Sequence, residues 1–267
     1  MNRPGSPDEL LKALLNNYFP MIDGADELDQ VVPLLKATGG EFCGCLHVDS
    51  EIVAVACRAG FLPMGESFTG RDILMIKSHT DRCVHDLRTF RAAKSEVRRA
   101  RGTSLRFSTS FRECLEHTVA AHEERWLTEP LCRALVDLAH TPLHGVRALS
   151  AELYRGGTMI AGEIGYACGA VYTSMSGFYH ESGAGKVQLI ALGLALREAG
   201  FLLWDLGMPM EYKFALGATA LGRHDFLSAY RQCSRQTPAG MSERAGSVLG
   251  AVDAYELLRA ERLAGRG

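Results

Sequence analysis

Apolar residues recur along this chain at two spacings, and the changes between them mark out the elements. Near the start, Leu10, Leu14 and Tyr18 share one helical face. Ser6-Pro7-Asp8-Glu9 opens that helix with Ser as N-cap, Pro at the first helical position and Glu three residues after the cap, and Pro20 ends it. The stretch from 21 to 70 is irregular and glycine-containing, with strand candidates at Phe42–Val48 and Ile52–Cys57. After a strand at Ile73–Lys77, the positions of Val84, Leu87, Phe90 and Val97 predict a long helix from Thr80 to Arg101, with Gly102 at the C-cap. Thr103–Ser108 reads as a strand. Ser110-Phe111-Arg112-Glu113 reads as a capping box for a helix to about His122, and Thr128 as the cap of one through Leu131, Leu135 and Leu138.

From Val146 to Tyr179 the pattern changes. Apolar stretches broken by Gly156-Gly157 and by Gly169 predict a three-stranded antiparallel meander. A helix follows over Val187–Glu198, then Phe201–Trp204, apolar throughout as in a buried strand. A helix over Asp225–Cys233 precedes a tail of different composition, with one peripheral helix near Val252–Leu263. The expected organisation is a small N-terminal lobe (1–70), a second domain (71–235) and a C-terminal tail (236–267). The fold class is α+β: a mixed, mainly antiparallel sheet with flanking helices.

Composition narrows the class. The chain has 267 residues, 47% hydrophobic and 22% charged, the profile of a soluble globular protein. A net charge of −2 excludes a molecule that binds polyanions over its whole surface. The polar start lacks the apolar core of a signal peptide, and no run approaches the roughly 18 apolar residues of a membrane span. Eight cysteines without a repeated pair spacing read as reduced thiols, so the expected location is cytoplasmic. Cys43-Gly44-Cys45 has no second pair to complete a metal site, and no metal or cofactor is expected.

Four features carry candidate chemistry. Arg82, Arg88, Arg91, Lys94, Arg98, Arg99 and Arg101 crowd the expected helix, with Arg91, Lys94 and Arg98 on one face, a stripe suited to phosphate; a solvated face is the rival reading. Gly183-Ala184-Gly185-Lys186 precedes a helix whose free N–H groups would suit an anion, against close packing as the plain alternative. Asp205 follows four apolar residues and is expected to face a cleft at a strand end, with a structural N-cap carboxylate as its rival. Trp126 precedes a helix cap, where it would stack on a base or fill core.

The order of Tyr18-Phe19-Pro20-Met21, Trp126-Leu127-Thr128, Met159 to Gly165, Tyr172 to Phe178, Ala184-Gly185-Lys186, Leu203-Trp204-Asp205 and Ala215 to Ala218 resembles the leucyl/phenylalanyl-tRNA–protein transferase family over most of residues 8–230. The resemblance implies an N-acyltransferase-like fold of the acetyl-CoA-dependent type, with aminoacyl-tRNA as donor and a protein N-terminus as acceptor. It implies a catalytic role for Asp205, stacking of Trp126 on the terminal adenosine, and tRNA binding by the arginine-rich segment. Met21, Glu163, Tyr172, Ser174, Met175 and Leu192 would surround the aminoacyl group.

The chain also departs from the bacterial pattern. Met21 replaces a Trp, Glu163 a Met, Leu192 and Tyr172 Phe residues, Met175 a Glu, and Gly207 the Gln two places after the Asp. Without that Gln, water, a tRNA hydroxyl, Tyr212 or Glu211 would have to stand in, and Glu163 would alter or broaden the choice of amino acid. The competing readings are an acetyl-CoA-dependent N-acetyltransferase and a catalytically inactive tRNA-binding relative.

Overall fold

A computed structural model of the protein describes residues 6–91, 96–122, 126–238 and 251–264. In chain order the elements are α1 (Pro7–Leu15), β1 (Met21–Ile22), α2 (Val31–Thr38), β2 (Phe42–Cys45), α3 (Ser50–Arg58), β3 (Leu62–Phe68), β4 (Arg71–Lys77) and β5 (Asp81–Asp86). They continue with β6 (Thr103–Phe107), α4 (Phe111–Ala121), α5 (Glu129–His140), β7 (Val146–Arg155), β8 (Thr158–Cys168), β9 (Val171–Tyr179) and α6 (Ala184–Glu198). The last are β10 (Leu203–Asp205), α7 (Glu211–Ala215), β11 (Thr219–Gly222), α8 (Arg223–Ser234), β12 (Val252–Asp253) and α9 (Ala254–Ala264).

A four-stranded sheet, β1-β2-β4-β3, belongs to the first part of the chain, and its strand β4 lies wholly beyond residue 70. The larger sheet has eight strands in the order β11-β5-β10-β9-β8-β7-β6-β12. The expected meander supplies its centre, and the one parallel pairing within it joins β9 to β10. The fold is therefore α+β with mainly antiparallel sheets.

Alternation along the central strands sends side chains into two apolar layers. Leu149, Ala161, Tyr172 and Trp204 face α6 and α9, whereas Ala148, Ile164, Val171 and Leu203 face the layer that includes α3, α5, α8 and part of the first sheet. With both faces covered, β8 is buried along nearly its whole length.

Several expectations yield to tertiary pairing. The segment from Thr80 is not a long helix: Asp81–Asp86 is strand β5, hydrogen-bonded between β10 and β11, followed by a 3-10 turn at Leu87–Thr89. Periodicity over Val84, Leu87 and Phe90 is real, but these residues are buried from a strand and a turn that both sit on the core. Ile52–Cys57 is helical rather than extended, because the Asp49 carboxylate caps the Ile52 N–H at 3.0 Å and the alanines favour helix. The capping box at Ser6 forms. The one expected at Ser110 does not, since the Ser110 N–H donates instead to the Glu152 carboxylate at 2.9 Å. The tail helix packs against α6 with Leu257 and Leu258 buried, and β12 extends the sheet beside β6.

Gly193 lets α6 lie close against its neighbours: an added Cβ would lie 2.6 Å from the Phe90 ring and 2.7 Å from Trp204. Gly193→Ala is therefore expected to destabilise the fold by about 1–3 kcal/mol through overpacking, read as a lower urea midpoint at unchanged slope.

Candidate functional site

A cavity of about 650 Å³ opens where β10 ceases to accompany β9. The two strands pair in parallel only from Leu203↔Val171 to Asp205↔Thr173; β9 then continues to Tyr179 while the other chain turns away at Gly207. That turn requires φ +76° at Gly207, a left-handed conformation that favours glycine. The walls are Ser174–Tyr179 of β9, Gly162 and Glu163 of β8, the start of α6, and Leu206 with α7. The volume lies within the roughly 300–1,000 Å³ range of small-molecule sites. A register shift between Ile164 and Gly165 leaves Met175 as an extra residue on β9, and Met175 lines the cavity.

Glu163 is the buried carboxyl of this cavity, 4% exposed. Its Oε1 accepts hydrogen bonds from Ser174 Oγ at 2.7 Å and from the Tyr172 hydroxyl at 3.1 Å. Ser174 Oγ is itself fixed by the Trp204 indole N–H at 2.9 Å. Burial raises the Glu163 carboxyl to about 7, against the opposing pull of the Ser174 and Tyr172 hydroxyls, the neighbouring Gln188 amide and the Lys213 charge. Gln188, 3% exposed and also lining the cavity, leaves its Nε2 without a hydrogen bond of normal geometry among the described residues.

Lys213 is the second buried charge. Its Nζ donates to the carbonyl oxygens of Leu206 at 2.5 Å and Met208 at 2.8 Å, and burial lowers its pKa. At the cavity mouth Gly183 (φ +81°) forms the N-cap of α6. The Arg99 side chain lies against Gly183, and both Arg99 and Lys186 pair with the buried Glu96 carboxylate, at 3.0 and 3.1 Å. The cavity therefore joins a largely apolar wall, a carboxyl that titrates near neutrality and a positive rim.

Asp205 stands differently from expectation. It is fully buried, and each oxygen accepts two hydrogen bonds: Oδ1 from Arg82 Nε at 2.7 Å and the Gly207 N–H at 2.9 Å, Oδ2 from Arg82 Nη2 at 2.7 Å and Thr173 Oγ1 at 3.1 Å. Every acceptor position of the carboxylate is occupied. Leu206 beside it reaches the cavity, but Asp205 does not line it. Arg82, expected on a phosphate-binding face, is buried as the partner of Asp205, with its guanidinium over the Phe226 ring. A strand position with its register beside β10 places it there; a helical stripe would not have.

Among the described residues, the other arginines are spread over more than one part of the surface. Arg88 pairs with Asp86 and, together with Arg91, borders a shallow depression beside Arg197 at the end of α6. Arg99 is at the beginning of the same helix, a 15-residue element about 22 Å long. Arg98 and Arg101 are exposed, with Arg101 against the Tyr255 ring, and Lys94 lies outside the described residues. Of the expected aminoacyl contacts, Glu163, Ser174 and Met175 line the cavity. Tyr172 reaches it only through Glu163, and Leu192, on α6, is wholly in the core. Met21 packs with Leu15, Ile73 and Met75 under the first sheet, and half-buried Trp126 packs against the core, its carbonyl accepting from Gly65 N–H at 2.7 Å. Tyr212 lines the cavity, whereas Glu211 is exposed beside it. Gln188 and Lys213 were not singled out from sequence; each sits in an ordinary amphipathic context, and only a polar residue on the sheet-facing side of α6 could have flagged Gln188.

Two stability outcomes follow. Asp205→Asn should lower stability by about 3–5 kcal/mol, because it strands a buried guanidinium, and the paired change Arg82→Met with Asp205→Leu should recover most of that loss in denaturant titrations. Because folding raises the Glu163 pKa, protonated Glu163 favours the folded state below the unfolded value of 4.5, and that contribution is lost as pH rises through about 7. The stability difference between wild type and Glu163→Gln should accordingly move against the wild type between pH 4.5 and 7, measured by urea midpoints across that window.

The family profile described as leucyl/phenylalanyl-tRNA protein transferase matches residues 84–231, which include every cavity-lining residue. The leucyl/phenylalanyl-tRNA–protein transferase of Pseudomonas paraeruginosa is 30% identical over 232 residues, covering 84% of this chain and 95% of the relative. The same-named protein of Paramagnetospirillum magneticum is 29% identical over 221 residues, covering 83% and 85%. Among solved structures, the crystal structure of FemX aligns at TM-score 0.42 and 12% identity over 81% of this chain and 75% of its own, a likeness too distant to carry a conclusion. By the profile match and a 30% identity that covers 84% of the chain, it belongs to the leucyl/phenylalanyl-tRNA protein transferase family.

Proposed function

We propose that this protein transfers an amino acid from the 3′ end of a charged tRNA to the α-amino group at the N-terminus of an acceptor protein, marking it for N-degron-dependent degradation in the cytoplasm. The observation that carries this reading is the family match, whose residues 84–231 span the whole cavity wall from Gly162 to Leu216. The parting of the parallel strands β9 and β10 around the cavity supports an N-acyltransferase-like arrangement of the sheet, with the aminoacyl ester entering between them.

The chemistry asks little of the protein beyond alignment. An aminoacyl ester is already activated, and an α-amino group has a reference pKa of about 7.7–8.0, so much of it is nucleophilic near neutrality. Holding amine and ester together in the cavity removes the entropic cost of their encounter. Met175, Phe178, Leu189, Leu206 and Leu216 give the aminoacyl end an apolar wall, and Ser174 with Glu163 a polar one. Arg99 and Lys186 at the rim, beside the N-terminus of α6, would meet the terminal phosphates of the tRNA. The exposed arginines Arg88, Arg91 and Arg98 are further candidates for backbone contacts; Arg82 is not among them.

Total tRNA charged with radiolabelled amino acids, offered with peptides that differ in their first residue, should yield labelled peptide. Label found only as free amino acid, or acetylation of the same peptides from acetyl-CoA, would overturn the reading. Arg99→Ala should weaken binding of charged tRNA and reduce the salt slope of the association by about one; an unchanged slope would remove Arg99 from the tRNA path.

A further inference from the structure

We propose that Glu163 is the proton-transfer residue of this site, accepting a proton from the attacking α-amino group and returning it to the departing ribose oxygen. The inference rests on the transferase reading above and deepens it by assigning the one general base the reaction needs.

Asp205 is not available for this work, because its four acceptor positions are filled and it does not line the cavity. Among the described residues, the titratable side chains that do line it are Glu163, Tyr179, Lys186, Tyr212 and Lys213. An ammonium group has no lone pair with which to accept a proton, and a neutral phenol is a far weaker base than a carboxylate. Glu163 alone of the five is a carboxyl, and no cation lies within ion-pair distance of it among the described residues. A carboxyl buried without an ion-pair partner is costly to maintain for structure alone. It is the arrangement in which a carboxyl becomes a base matched to neutral pH.

The carboxyl is also aimed. Both hydroxyl contacts, from Tyr172 and Ser174, fall on Oε1, and Trp204 fixes the Ser174 hydroxyl in turn. Oε2 receives neither hydroxyl, and the Gln188 amide beside the carboxyl also favours its ionised form. The groups that face this carboxyl are Tyr172 and Ser174 from β9, Gln188 from α6, Tyr212 and Lys213 from α7, and Cys114 from α4, whose thiol donates to the Glu163 carbonyl. Their balance, dominated by burial, brings the carboxyl to about 7.

The step conserves atoms and charge. The neutral amine attacks the ester carbonyl carbon, forming the C–N bond while the C=O π electrons move to oxygen. Ionised Glu163 then takes one proton from the positively charged nitrogen. When the tetrahedral species collapses, the C=O bond re-forms and the C–O bond to the ribose breaks. The proton passes from the carboxylic acid to the ribose oxygen, leaving an amide, a free tRNA hydroxyl and Glu163 ionised as before.

The rival base is His122, whose Nε2 lies 2.8 Å from Ser176 Oγ at the cavity edge. Single-turnover transfer from one efficiently used charged tRNA, followed from pH 5.5 to 9, separates the two. With the wild type, log rate should fall with a slope near two well below pH 7, because both the amine and Glu163 must be unprotonated. Glu163→Gln, isosteric and able to accept the same hydroxyls, should lose 10²–10⁴-fold at pH 8 and fall with a slope near one, while charged-tRNA affinity stays within threefold. Tyr172→Phe removes a hydrogen bond that favours the ionised carboxylate, so the lower inflection should move to higher pH; this variant serves if Glu163→Gln folds poorly. Overturning results are a Glu163→Gln rate within threefold of wild type, an unchanged slope, a Tyr172→Phe inflection that stays put or moves down, or a slope that changes in His122→Gln instead. A wild type that transfers from no charged tRNA removes the reaction itself and with it this role, an outcome distinct from an active enzyme indifferent to Glu163.

Discussion

The buried pair of Arg82 and Asp205 is the constraint on which the rest of the structure depends. It joins β5 to β10, takes in Thr173 of β9 and caps the N–H of Gly207 where the chain leaves the sheet. Two charges removed from water are tolerated here because the carboxylate is completely hydrogen-bonded, which also makes loss of either partner expensive. The departure of the chain at Gly207 opens the cavity, so the pair shapes the site while taking no place inside it. A carboxylate at a strand end reads from sequence either as a reactive group or as a structural one, and the hydrogen bonds around Asp205 are those of a fastening.

Much of the fold was legible from the chain. The glycine breaks at 156–157 and 169 mark the ends of β7, β8 and β9, and the apolar run before Asp205 marks β10. What escaped was β5. Its residues Asp81–Asp86 have no strong intrinsic preference, and they are extended because β10 and β11 flank them in the sheet, contacts far along the sequence. Once that segment is a strand, Arg82 turns inward and leaves the set of exposed arginines. Reading that strand as a helix is what put Arg82 among the expected phosphate contacts. Glu163, Ser174 and Met175 were legible because family resemblance fixed their register on β8 and β9; Gln188 and Lys213 carry no local pattern that separates them from surface residues.

The distribution of positive charge along α6 gives the molecule a direction. Arg99 and Lys186 stand at the cavity mouth, whereas Arg88, Arg91 and Arg197 gather at the far end of the helix. Glu96, Asp86 and Glu261 temper both groups, so neither end presents bare charge. A polyanion lying along such a surface would be guided by position more than by total charge, in keeping with a net charge of −2.

The tail has a consequence of its own. Helix α9 lies against α6, and β12 lengthens the sheet beside β6, so the last described segment supports from behind the same helix whose first turn borders the cavity. The back of the cavity wall is therefore held by residues 252–264, far along the chain from the β8 and β9 residues that form its front.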